Sequence, residues 1–220
     1  MDSRGSTKTT LMTSCIEIPS DASVLLQEAA EWRLVSLLFE CPGPGWLEQI
    51  STLADEVADA TLKAAVEAAR QEASHSLYHS TFGPGGPAAP REVSHRRGVL
   101  PGASLAELRR LYEAFAYQPT IDEPPDHVAV EAGFVAYLRL KQAYAFARGN
   151  DEQAQICTEV GRRFTQEHVS RMADPLAKAL VSSGIMYLIH AAEALQSRTG
   201  PAPTEVPLDV LSDDEMDNEE

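Results

Sequence analysis

Glu123-Pro-Pro-Asp-His-Val-Ala-Val-Glu-Ala-Gly-Phe-Val-Ala-Tyr-Leu138 is the stretch that decides the fold class. Two prolines end whatever precedes them, because proline lacks an amide proton and restricts the residue before it. Asp126 is then a ready N-cap, its carboxylate complementing the positive end of a helix dipole. His127 falls in the first turn, near solvent. Beyond it Val130, Phe134, Tyr137 and Leu138 recur at helical spacing and mark one apolar side. Nothing in this entrance calls for catalysis. An acidic, proline-bounded helix start reads as part of a binding surface.

The same period extends in both directions. Leu26, Ala30, Leu34 and Leu37 define one face of a helix that stops at Cys41-Pro-Gly-Pro-Gly45. A second helix is expected from Trp46 to about Ala58, and a third over the Ala-rich stretch from Thr61 to Tyr78. Ser104-Leu-Ala-Glu107 has the capping-box pattern and opens a helix to about Tyr117. Asn150 caps a helix carrying Ile156, Val160 and Phe164. Asp174-Pro175 is a cap and first-turn pair, followed by an apolar stripe through Leu176, Leu180, Tyr187, Leu188, Ala191 and Leu195. No segment alternates with a period of two, so little or no sheet is expected. The one long irregular segment runs from Phe82 to Ala103 and is rich in Gly and Pro; loops of that length are commonly functional. The expected fold is all-α, a single-domain helical bundle with a long crossover loop. Residues 1–21 are expected to form a flexible tail, 22–199 the helical domain, and 200–220 a disordered acidic tail, since Ser212–Glu220 is nearly all Asp and Glu.

The chain has 220 residues with 33 Asp and Glu against 18 Lys and Arg, a formal net charge of −15. Such a surface repels nucleic-acid phosphates and anionic lipid and favours a basic partner. Cys15, Cys41 and Cys157 are too few and too widely spaced for a disulfide framework or a cysteine zinc site. No run reaches export-signal or membrane-spanning length, so a cytoplasmic protein without membrane insertion is expected. Gly83-Pro-Gly-Gly86 lacks the Lys-Ser/Thr of a phosphate loop and reads as a turn. His75 and His79 share a helix face at chelating spacing, but no third ligand is evident from sequence, so no metal and no cofactor are assigned. Arg96-Arg97 and Arg109-Arg110 are expected to pair with carboxylates rather than bind nucleic acid.

Three ordered segments carry a family resemblance. They are Tyr78-His-Ser-Thr-Phe82-Gly-Pro84; Pro90-Arg-Glu92-Val-Ser94 with Leu105 to Phe115; and Glu123-Pro-Pro-Asp126-His127 with its apolar helix. Their order resembles the TorD/DmsD/NarJ family of molybdoenzyme maturation chaperones over residues 25 to 197, with His168 matching the family's late histidine. The chain departs at Arg91-Glu92-Val93-Ser94, where the family often has Tyr-Glu-Ser, and at Val169-Ser-Arg-Met172, where tryptophan is common. The resemblance implies a TorD-like, cytoplasmic, non-enzymatic protein. Such a protein binds the apo catalytic subunit of a molybdopterin oxidoreductase, its twin-arginine signal peptide, or both. It implies that Glu123, Pro124, Asp126 and His127 form the peptide-binding region, with Tyr78, Phe82 and Glu92 at the other end of the loop. A guanidinium-bearing leader with an apolar run needs carboxylates beside an apolar groove. Glu123, Asp126, Glu131 and Glu92 are candidates for the first, and Phe82, Phe134 and Tyr137 for the second. A domain-swapped homodimer is compatible with the long loop. Two other classes stay open at this point: a metal-dependent hydrolase using His75, His79, Asp126, His127 and His168, and a permanent structural subunit of a redox complex.

Overall fold

The structure is a computed structural model and describes residues 20–96, 98 and 100–202. The expected tails at 1–21 and 200–220 lie almost wholly outside these residues. Ser20 and Asp21 already belong to the first helix, and Gly200 follows the last with φ +68°.

Nine α-helices are present among the described residues, without a strand. They are α1 (Ser20–Leu38), α2 (Trp46–Glu56), α3 (Ala60–Glu72), α4 (His75–Phe82), α5 (Pro101–Ala114), α6 (Val128–Ala147), α7 (Asp151–Phe164), α8 (Ser170–Val181) and α9 (Met186–Thr199). The all-α expectation is met. Two helices form the centre. In α6 every residue from Val128 to Ala136 is buried, not one face alone. A helix buried all round belongs in the middle of a bundle. It packs against α1 on one side and α7 on the other, while α9 packs against α3 and α8. Gly133 allows the close approach, since a Cβ there would lie 2.6 Å from the Tyr117 hydroxyl and 3.1 Å from Ser36 Oγ. Ser36 donates to the Ala129 carbonyl at 2.8 Å, so even the polar contact between α1 and α6 is satisfied.

Several local signals were overridden. The stretch expected as one helix to Tyr78 breaks at Ala73-Ser74, where Ser74 Oγ accepts from the Leu77 amide at 3.2 Å and starts α4. The Ser104–Glu107 box is not used. Helix α5 begins three residues earlier with Pro101 at its first turn, and Ser104 is buried and accepts from Arg96 at 3.1 Å. Asp174-Pro175 does not start a helix. The chain runs from α7 through a π turn at Thr165–Val169 straight into α8, with Pro175 inside it. The apolar stripe explains this, because Val169, Met172 and Ala173 upstream of the proline are as buried as Leu176 and Leu180 downstream. Asp174 instead bonds Lys178 at 2.6 Å and Gln196 at 2.7 Å, tying α8 to α9. Asn150 caps α7 as expected, accepting from Gln153 at 3.1 Å. The buried side of α7, however, is Ala154, Cys157, Gly161 and Phe164, and Ile156 is 49% exposed.

Candidate functional site

The crossover between α4 and α5 is pinned to the entrance of α6. Arg91 and His127 form an antiparallel bridge, with the Glu92 amide donating to the Asp126 carbonyl and the Val128 amide to the Pro90 carbonyl, both at 2.8 Å. Asp126 is fully buried. Its Oδ1 accepts from Arg91 Nε and from the second guanidinium nitrogen, each at 2.9 Å, and its Oδ2 accepts from the Val93 amide at 3.3 Å. The aspartate therefore does not cap α6 but locks the loop onto it.

The cap is His127, which is 2% exposed rather than near solvent. Its Nδ1 accepts from the Ala129 amide at 3.2 Å, which places the proton on Nε2, 3.3 Å from the Tyr78 hydroxyl. Tyr78 in turn donates to Glu123 Oε1 at 3.3 Å. A polar chain thus runs from the start of α6 to a half-buried carboxylate. Burial, reinforced by the Arg91 guanidinium, pushes the His127 pKa down to about 4. The imidazole is neutral at physiological pH, as its capping role requires. Burial and the neighbouring Glu123 hold the Tyr78 hydroxyl protonated.

This chain forms one wall of a pocket of about 470 Å³, with Tyr78, Phe82, Glu123, Pro124 and His127 among its lining. The Gly83–Gly86 turn forms part of its lining. A Cβ on Gly86 would lie 2.3 Å from the Thr81 carbonyl, so only glycine fits there.

A buried charged network is centred on Glu92. Its Oε2 faces His168 Nδ1 at 3.1 Å, and its Oε1 faces Arg96 at 3.2 Å and Arg171 at 4.0 Å. Glu131, fully buried on α6, is the second carboxyl of this network. No donor from another residue reaches its oxygens. Burial first, and then the charges of Glu92 and Asp126, raise its pKa well above the ordinary carboxyl value, so Glu131 is protonated. A pH dependence follows. The unfolded chain releases this proton near 4.5, whereas the folded chain keeps it. Wild-type stability is therefore reduced as pH rises above that value. Glu131→Gln mimics the neutral acid and does not titrate. Urea unfolding of the two proteins should give similar stability near pH 4 and a variant increasingly more stable than wild type towards pH 7. Parallel pH profiles would contradict a neutral Glu131.

The ten candidate residues separate by depth. Tyr78, Phe82, Glu123, Pro124 and His127 line the pocket; Asp126, Glu92, Glu131 and His168 are buried outside its lining, with Asp126 and Glu92 in the contacts that hold the loop. Phe134 is core, surrounded by the rings of Tyr112, Tyr117, Phe115 and Phe164. Tyr137 lines a different, apolar groove of about 550 Å³ between α1 and α6. The histidines His75, His79, His127 and His168 do not converge with Asp126 on one centre. Sequence reading missed the part of Arg91, whose only signal was its place between Pro90 and Glu92. It also missed that Cys41 comes to lie beside His75 and His79.

No helix among the described residues is long and apolar enough to cross a membrane. Among curated proteins none matches the chain. A solved structure of an Archaeoglobus fulgidus protein assigned as a redox enzyme maturation protein shares the fold. It is 20% identical with a TM-score of 0.50, over 77% of this chain and 91% of that one. The sequence profile of the nitrate reductase delta subunit family matches residues 49–178, more than half of the chain. With the helical bundle and the loop locked onto α6, this match makes the chain a member of that family, the NarJ/TorD-like chaperones of redox-enzyme maturation.

Proposed function

We propose that this chaperone binds the apo catalytic subunit of a molybdopterin oxidoreductase, together with its twin-arginine leader, in the cytoplasm and releases it after cofactor insertion. The observation that carries the reading is the pocket where two distant segments, Tyr78–Phe82 and Glu123–His127, meet. Glu123 offers a carboxylate to a guanidinium, and Phe82 with the Gly-Pro turn offers apolar surface to the residues that follow it. Asp126 and Glu92 act through the loop they hold rather than by touching the client. The role is binding, without a cofactor of its own. Both nitrogens of His127 are engaged, one in capping α6 and one with Tyr78, which favours a structural imidazole over a catalytic base.

The test is co-purification with a molybdoenzyme catalytic subunit produced in the same cells, with and without its cofactor. The chain should form a salt-sensitive complex with the cofactor-free subunit and be absent from the mature enzyme. Stoichiometric retention in the mature enzyme would instead identify a permanent subunit.

A further inference from the structure

The turn after α1 and the first turns of α4 bring together three soft ligands that the chaperone reading leaves unused. Cys41 follows Phe39 and Glu40 directly, and Ser74 starts α4 so that His75 and His79 project one turn apart on the same side. Packing holds the two segments in register: Phe39, fully buried, meets the Phe82 ring edge-on at 6.3 Å, and Phe82 meets Tyr78 at 5.1 Å. Their ligand atoms consequently converge. His79 Nε2 lies 3.1 Å from His75 Nε2 and 3.9 Å from Cys41 Sγ, and all three atoms lie within 4.8 Å of one another.

Those separations can be compared with what a metal needs. Tetrahedral zinc, with bonds of about 2.05 Å to nitrogen and 2.3 Å to sulfur, sets its ligand atoms about 3.3 Å (N to N) and about 3.6 Å (N to S) apart. The His75–His79 and His79–Cys41 spacings are within a few tenths of an ångström of these values, and the His75 and Cys41 ligand atoms lie within 4.8 Å of each other. Small rotations of two exposed histidines on a rigid helix would close the difference.

We propose that Cys41, His75 and His79 form a site for a borderline-soft divalent transition metal, with zinc the best match, leaving one coordination position open. Thiolate plus two imidazoles excludes calcium and magnesium, which take oxygen ligands. Three protein ligands and an open position differ from a closed structural site. That position is open to water or to a donor from a bound partner, and the site adjoins the pocket, since His79 lines both. Burial and the nearby Glu123 hold the Cys41 thiol protonated in the metal-free protein. Metal uptake must displace this proton, so affinity rises with pH.

The site is tested on the full metal-free chain by zinc calorimetry and cobalt absorption spectroscopy. Wild type should take up one zinc per chain, and cobalt should produce a thiolate charge-transfer band with the strong visible bands of four-coordination. Cys41→Ser should abolish the charge-transfer band, and His75→Ala or His79→Ala should each weaken zinc binding at least about tenfold, the lower end of what even outer-shell losses cost. His190→Ala, on α9 outside the cluster, should change neither. Far-UV circular dichroism of each metal-free variant checks folding, which these surface changes should leave intact. Equal zinc binding by wild type and a C41S/H75A/H79A chain would overturn the proposal and place the metal elsewhere, as would a cobalt spectrum whose thiolate band survives Cys41→Ser. Client binding needs no metal in the chaperone reading, so failure here leaves that reading standing.

Discussion

Arg91→Ala should destabilise the protein by about 3–5 kcal/mol, out of proportion to a side chain that is 36% exposed. The cost arises at its partner. Asp126 has no exposure, and without the guanidinium it keeps one backbone amide, from Val93, among the side-chain bonds it accepts. An uncompensated buried carboxylate is among the few causes of so large a loss from one substitution. Arg91→Lys should recover part of the stability, because an ammonium restores charge but not the paired geometry of the guanidinium. Urea unfolding followed by circular dichroism measures both. Amide exchange should also quicken at Glu92 and Val128, whose bonds close the bridge. A loss below about 1 kcal/mol, the range of an ordinary exposed ion pair, would show that Asp126 does not depend on Arg91.

Phe134→Ala should cost about 3–5 kcal/mol as well, for an unrelated reason. Its ring is fully buried and is met by Tyr112 at 4.8 Å, Phe164 at 4.9 Å, Tyr117 at 5.2 Å and Phe115 at 6.0 Å. These neighbours come from α5, the segment after it and α7, so they cannot collapse together into the space left. Ile156→Ala, on the exposed side of α7, should change stability by no more than about 0.5 kcal/mol. Near-equal losses at the two positions would mean that the core of α6 is not where the structure puts it.

The contrast between those two residues shows what sequence could supply. Periodicity located the helices well, because a 3.6-residue apolar repeat survives any arrangement of neighbours. It could not say that α6 is buried all round, since that depends on having α1 and α7 on opposite sides. Local cap signals were weaker guides. Asp126 and Asp174 each precede or follow a proline in the way a helix start requires, yet each is spent on a tertiary partner. The five pocket-lining residues came from two short motifs, Tyr78–Phe82 and Glu123–His127, read together. The Arg91–Asp126 lock and the Cys41–His75–His79 cluster join residues 34 or more positions apart, and no local spacing rule reaches across that distance.

Glu123 is the one candidate carboxylate of the four that the pocket leaves accessible, and it bears most directly on client recognition. The decisive measurement is the affinity of the chain for a synthetic leader with paired arginines before an apolar run, by calorimetry at fixed salt. Wild type should bind it. Glu123→Ala should weaken binding by about 1.5–3 kcal/mol, roughly ten- to a hundredfold, the range of a charge-assisted hydrogen bond. Replacing the paired arginines by lysines should weaken it too. Equal affinity across wild type, Glu123→Ala and the lysine peptide would contradict recognition of the leader at this pocket.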